Sequence, residues 1–125
     1  MRVLLDTHVY LWFVQDEAKL RRPAFQLIQN ADEVFVSSAT IWEIAIKGAL
    51  GKIQADVPAL VQKLQRNGFK ELPVQMAHAV QVRTLPLFHR DPFDRMLVAQ
   101  AMVGQLRLLT ADRRLRRYSP LVIDA

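Results

Sequence analysis

The sequence predicts an α/β fold with a mostly parallel central sheet and helices on both faces. Two observations carry that reading. Short apolar runs alternate along the chain with longer amphipathic stretches, the pattern of strand–helix crossovers. No internal repeat, low-complexity tract or linker interrupts the alternation, so residues 1–125 are expected to form one domain with a single core. Hydrophobic residues make up 51% of the chain, enough to fill such a core.

Each element follows from local pattern. Val3-Leu4-Leu5 is a short apolar run ended by Asp6 and reads as a buried strand. Thr7 is placed to cap the helical turns around Val9, Leu11, Trp12 and Phe13. Arg22-Pro23 opens a second helix, since proline suits a first helical position. Glu33 to Val36 is the next strand, and Thr40 to Leu50 the next helix. Pro58 to Asn67 is an amphipathic helix stopped by Asn67-Gly68. Lys70 to Val74 is expected to be a short strand and Gln75 to Leu85 a helix that stops before Pro86. Pro92 to Val103 is a strongly apolar helix ended by Gly104. Arg107 to Leu109 and Leu121 to Ile123 complete the strands.

Composition narrows the function classes. No stretch reaches the roughly 20 apolar residues that a membrane span needs. The apolar run before Asp6 is too short for a signal peptide. Cysteine is absent, which removes disulfide frameworks and thiolate metal sites. A cytoplasmic location is expected. The net charge is +5 and the pI about 10.1, a balance that suits nucleic acid because Lys and Arg displace counterions from phosphates. The stretch from Arg113 to Arg117 holds four arginines in five positions.

Several acids sit at telling places. Asp6 follows the first strand, Glu43 lies in the first turn of a helix, Asp91 and Asp94 flank the start of the apolar helix, and Asp112 follows a strand. In an open parallel sheet the strand ends and helix starts share one edge, where ligands bind near the reversal of strand order. Acids far apart in sequence could therefore converge. Converging carboxylates need a positive partner, and Mg²⁺ or Mn²⁺ fits an all-oxygen donor set. Such a site suits phosphodiester hydrolysis, with a basic surround to hold the phosphate chain. Each acid also has a capping reading. Thr40-Ile41-Trp42-Glu43 matches a capping box. Asp91 matches an N-cap before Pro92, with Asp94 at the third helical position. Asp112 could cap a short helix, and Asp6 could close a turn.

At this point the residues resemble a family. Val3-Leu4-Leu5-Asp6-Thr7-His8, Ser37 to Ile44, His89 to Ala101 and Leu109-Thr110-Ala111-Asp112 are similar to PIN domains, and among them to VapC-type toxins of toxin–antitoxin pairs. Asp91-Pro92-Phe93-Asp94-Arg95 is the most specific stretch. The resemblance implies a PIN-like three-layer sandwich. It implies a metal-dependent endoribonuclease using Mg²⁺ or Mn²⁺, the toxin of a type II toxin–antitoxin system. Asp6, Glu43, Asp94 and Asp112 are the implied catalytic and metal-binding acids, with Asp91 behind them. RNA substrate, a cognate antitoxin and a homodimer are the implied partners.

For RNA contact the candidates are Arg90, Arg95, Arg113, Arg114, Arg116 and Arg117. His8, His78 and His89 stand alone in sequence; His8 could orient a water or pack its helix. Trp12 and Trp42 fit core positions, and Thr110 could bond a carboxylate or begin a turn. Three rivals compete with the nuclease. A silent PIN-like binding module is opposed by the full set of acids. A haloacid-dehalogenase-type phosphatase needs a second acid where His8 stands. DNA cutting is compatible with the same acids.

Overall fold

Strand β1 (Arg2–Leu5) runs through the middle of the sheet, and its apolar residues Val3, Leu4 and Leu5 are completely buried. The computed structural model describes residues 1–125. The other strands are β2 (Glu33–Ser37), β3 (Lys70–Leu72), β4 (Arg107–Thr110) and β5 (Val122–Asp124). Their order is β3-β2-β1-β4-β5, and every neighbouring pair is parallel. Side chains on a strand alternate between faces. Val3, Leu5, Val36 and Leu109 join one apolar cluster, while Leu4, Leu108 and Val122 join the other. A sheet covered on both faces must read as an apolar run, and β1 does.

Helices α1 (Thr7–Gln15), α2 (Arg22–Asn30), α3 (Ser38–Ala49) and α4 (Val57–Arg66) bring Tyr10, Ile28, Ile44 and Leu60 to the first cluster. Helix α6 (Pro92–Gly104) brings Leu97, Val98 and Ala101 to the second, with α5 (Met76–Val82) against it. The predicted α/β layering is therefore present, and the sheet is wholly parallel. No helix is long and apolar enough to cross a membrane.

Chain order reverses between β1 and β4, because the strands after β1 first run outward to β3 and then resume on its other side. The carboxyl ends of β1 and β4 thus form the switch point where a crevice opens. The backbone N–H of Asp6 donates to Leu109 O at 3.0 Å, which ties the two strand exits together.

Three local expectations are corrected. Helix α1 is capped by Asp6 rather than Thr7: the Asp6 Oδ1 accepts from the Val9 N–H at 2.8 Å. Helix α3 starts at Ser38, capped by Ser37, so Glu43 falls in its second turn and the Thr40–Glu43 capping box does not form. Helix α6 runs through Gly104, and the left-handed residue that ends it is Gln105 at φ 53°.

Candidate active site

The sequence delivers each acid to the sheet edge by a local rule. Asp6 follows directly from β1 and caps α1. Its Oδ2 accepts from the Thr110 hydroxyl and from the Ala111 N–H at 3.1 Å. Thr110 ends β4 and in turn accepts the Asp112 N–H at 3.0 Å, so β4 positions both acids. Asp112 caps the short 3₁₀ helix Arg113–Arg117 through the Arg114 N–H. Asp91 caps α6, its Oδ1 accepting from the N–H groups of Phe93 and Asp94. Asp94 then projects from the first turn, as Pro92 fixes the helix entry.

Asp6, Asp91, Asp94 and Asp112 line one cleft of about 400 Å³, together with His8, His89, Arg113 and Arg114. Glu43 does not line it. It is 2% exposed and lies close enough to add to the negative charge around Asp94. Its Oε1 accepts the Thr7 hydroxyl at 2.6 Å and its Oε2 accepts Lys47 Nζ at 2.5 Å. Lys47 is held protonated above its usual range, first by that bond and further by the charges of Asp91 and Asp94.

The electrostatics of the acids diverge. Burial raises the Asp6 carboxyl above its ordinary value, against the hydrogen bonds that favour its charged form. Burial, with the charges of Asp91, Asp6 and Glu43, pushes Asp94 up to about 7. The Asp94 carboxylate accepts no hydrogen bond that would offset this, and His89 Nε2 approaches it only to 3.3 Å. Asp112 is held well below the usual range, chiefly by the Arg114 guanidinium, which reaches both its oxygens at 3.0 and 2.8 Å.

A divalent ion suits this arrangement. A carboxylate buried among like charges lacks a positive partner, and the pocket's carboxylate oxygens are the hard ligands that Mg²⁺ or Mn²⁺ takes. Ligand atoms of Asp94, Asp112 and His89 lie within 4.8 Å of one another.

The arginines divide. Arg113 and Arg90 are exposed, Arg113 on the cleft. Arg95 is turned inward: its guanidinium donates to the carbonyls of Pro86, Leu85 and His89 and to the Tyr118 hydroxyl at 2.9–3.3 Å. It therefore staples the segment before α6 instead of facing solvent. Arg116 pairs with Asp124 at 3.1 Å, and Arg117 lies 4.0 Å over the Phe88 ring. Sequence reasoning passed over His89, which bonds Asp112 Oδ2 at 2.8 Å. Its place just before Asp91 was the available signal. It also passed over the Thr7 bond to Glu43, for which no spacing rule exists. The i, i+4 spacing of Glu43 and Lys47 was a signal for their pair that sequence reasoning also passed over. Trp42, expected in the core, is 62% exposed and packs edge-on against Phe93. It borders an apolar groove of about 670 Å³ with Ala39, Val74, Val82 and Met96. His78 is buried, and His8 is exposed beside Trp12.

Comparison with known proteins agrees with this architecture. The sequence profile of the family described as PIN domain matches residues 3–120. Ribonuclease VapC22 of Mycobacterium tuberculosis is 34% identical over 119 residues, which cover 93% of this chain and 91% of that protein. Among solved structures, VapBC2 from Rickettsia felis bound to a fragment of its promoter DNA superposes with a TM-score of 0.74 at 12% identity, covering 100% of this chain and 98% of that one. A toxin–antitoxin complex from Klebsiella pneumoniae gives 0.67 at 18% identity, over 97% and 95%. FitAcB from Neisseria gonorrhoeae gives 0.66 at 17% identity, over 98% and 96%.

Proposed function

This chain belongs to the PIN-domain family, as a relative of the VapC ribonucleases, and from that premise we propose that it is a Mg²⁺- or Mn²⁺-dependent endoribonuclease, the toxin of a toxin–antitoxin pair. The observation that carries the reading is Asp94, a carboxyl pushed up to about 7 in a cleft shared with Asp6, Asp91 and Asp112. Asp6, Glu43, Asp94 and Asp112 are the proposed acids of the reaction. Asp6, Asp94 and Asp112 would hold the ion, with Asp91 behind them. When bound, the ion supplies a water of lowered pKa and charge stabilisation at the phosphate. Glu43 lies deeper and holds charge near Asp94. Thr110 and the Ala111 N–H fix one oxygen of Asp6, which leaves Oδ1 with only the Val9 N–H and a free lone pair.

Attack on phosphorus by water with the 3′-oxygen leaving, rather than by the RNA's own 2′-hydroxyl, gives 5′-phosphate and 3′-hydroxyl ends. Cleavage is therefore expected to stop in EDTA, return with Mg²⁺ or Mn²⁺, and give those ends. Cyclic 2′,3′-phosphate ends in metal-free buffer would exclude the mechanism.

For RNA binding, Arg90 and Arg113 are the arginines proposed to reach phosphates, since both are exposed and Arg113 lines the cleft. Each phosphate contact to a single strand contributes about 0.7 to the slope of log K against log salt. Arg90→Gln with Arg113→Gln is expected to flatten that slope by about 1.4. A filter-binding series at several salt concentrations measures it, and an unchanged slope would remove both residues from the interface. For protein partners we propose an antitoxin and a second copy of this chain. The exposed apolar groove beside Trp42 supports a protein contact, because patches of this kind are seldom left open.

A further inference from the structure

The ring of His89 is built in on every side. Its side chain is 9% exposed. Its backbone N–H donates to the Tyr118 hydroxyl at 2.9 Å, and its carbonyl accepts from Arg95 at 3.3 Å. Its Nδ1 accepts the backbone N–H of Asp91 at 3.1 Å. Its Nε2 lies 2.8 Å from Asp112 Oδ2 and 3.3 Å from Asp94 Oδ2. By distance alone this nitrogen would serve as a third metal ligand beside the two carboxylates.

The hydrogen bonds argue otherwise. A ring nitrogen that accepts an N–H bond carries no proton, so in the neutral imidazole the proton sits on Nε2. To ligate an ion, Nε2 would have to lose that proton and Nδ1 regain it. Nδ1–H would then face the Asp91 N–H, donor against donor, and the bond that fixes the ring would be lost. We propose that His89 is a positioning residue, an imidazole locked in its Nε2–H tautomer that donates to Asp112 and stands beside Asp94, setting their spacing and leaving the ion an all-oxygen pocket. Carboxylates that bind metal are usually oriented by such outer partners. Asp91 gains a second purpose: its side chain caps α6 while its backbone N–H fixes the ring. The proposal rests on the metal-dependent reading above and deepens it by removing the one nitrogen donor from the ion's ligands. A pocket without an imidazole ligand gives Ni²⁺ and Zn²⁺ less of their usual advantage over Mg²⁺ and Mn²⁺ than a pocket that has one.

The test uses the full chain as wild type, His89→Gln and His89→Ala. ¹⁵N NMR of the imidazole reports the tautomer in the metal-free and Mg²⁺-loaded wild type. Calorimetry reports the affinities of all three proteins for Mg²⁺ and Ni²⁺. Nε2 is expected to keep its proton in both states. His89→Ala is expected to weaken Mg²⁺ by about 10–100-fold, the usual effect of losing an outer partner. His89→Gln carries an amide N–H to nearly the same place and is expected to recover most of that loss. Loss of the Nε2 proton on metal binding would overturn the proposal. So would a His89→Gln protein that loses Ni²⁺ far more than Mg²⁺, or a His89→Ala protein with wild-type Mg²⁺ affinity. A wild type that binds no divalent ion would instead overturn the metal reading itself.

Discussion

Asp94→Asn is expected to abolish RNA cleavage and yet, in EDTA at pH 8, to melt at a higher temperature than the wild type. The Asp94 carboxyl stands in the cleft among other acids. Burial and the charges of Asp91, Asp6 and Glu43 push its pKa from 3.8 to about 7. A carboxyl whose folded pKa lies above its unfolded one binds protons more tightly in the fold. The metal-free fold therefore loses stability as pH rises from about 4 through about 7, and the whole loss is present above that window. A tenfold change in proton affinity is worth about 1.4 kcal/mol, so the loss is no more than about 4 kcal/mol before solvent screening reduces it. Asparagine carries no charge and escapes it. The stabilising effect of Asp94→Asn should thus be clear at pH 8 and vanish near pH 4. Added Mg²⁺ reverses the ranking. A ligand at 100 times its dissociation constant stabilises the state that binds it by about 2.7 kcal/mol. The wild type should gain that stabilisation and the variant lose most of it. Thermal melts at both pH values, with EDTA or Mg²⁺ and an activity assay on the same samples, decide the matter. A variant that melts lower in EDTA and still cuts RNA would reduce Asp94 to a helix-start charge.

Capping and catalysis looked like alternatives in the sequence, and the structure makes them one arrangement. A parallel sheet sends every strand exit into a helix N-terminus, so an acid at that junction both caps and faces the switch point. Asp6 caps α1 with Oδ1, which keeps a free lone pair, while Thr110 and Ala111 hold Oδ2. Asp91 and Asp112 likewise cap α6 and the 3₁₀ helix while lining the same cleft. These junctions were legible because their signals are local: an apolar run ending in Asp6, and Asp91-Pro92 before a long apolar helix.

What stayed hidden depends on contacts across the sheet. Glu43 fitted a capping box with Thr40, but Ser37 takes the cap and starts the helix earlier. Glu43 then meets Thr7, 36 positions away. Arg95 fitted an RNA-facing cation, yet the segment from Val82 to His89 folds back over α6 and surrounds its guanidinium with carbonyls. Trp42 fitted an apolar helix face, yet that face turns outward onto an open groove. Apolar periodicity shows which side chains share a face, and only the packing decides what covers it.

Lys47→Met is expected to lower the melting temperature in EDTA by about 10 °C. Glu43 is 2% exposed and its carboxylate has two partners, the Thr7 hydroxyl and Lys47. Removing one member of a buried ion pair costs about 3–5 kcal/mol, because the other charge is left behind. The low end applies here, since Thr7 remains and the Lys47 side chain is 30% exposed. About 3 kcal/mol corresponds to a shift near 10 °C for a chain of this size. Methionine keeps the length of the lysine stem, so the lost contact is charge and hydrogen bond rather than packing. Two controls separate this account from a general packing fault. Glu43→Gln added to Lys47→Met removes the stranded charge and should restore most of the lost stability, as replacing both members of a buried pair often does. Mg²⁺ should raise the melting temperature of Lys47→Met by more than it raises that of the wild type. Lys47 is the cation nearest to Glu43 and feels the charges of Asp91 and Asp94. Without it, a bound divalent ion becomes the main positive charge available to all three. A melting temperature within about 2 °C of the wild type in EDTA, or a double variant no more stable than Lys47→Met, would show that Lys47 is not needed to hold Glu43 in the metal-free fold.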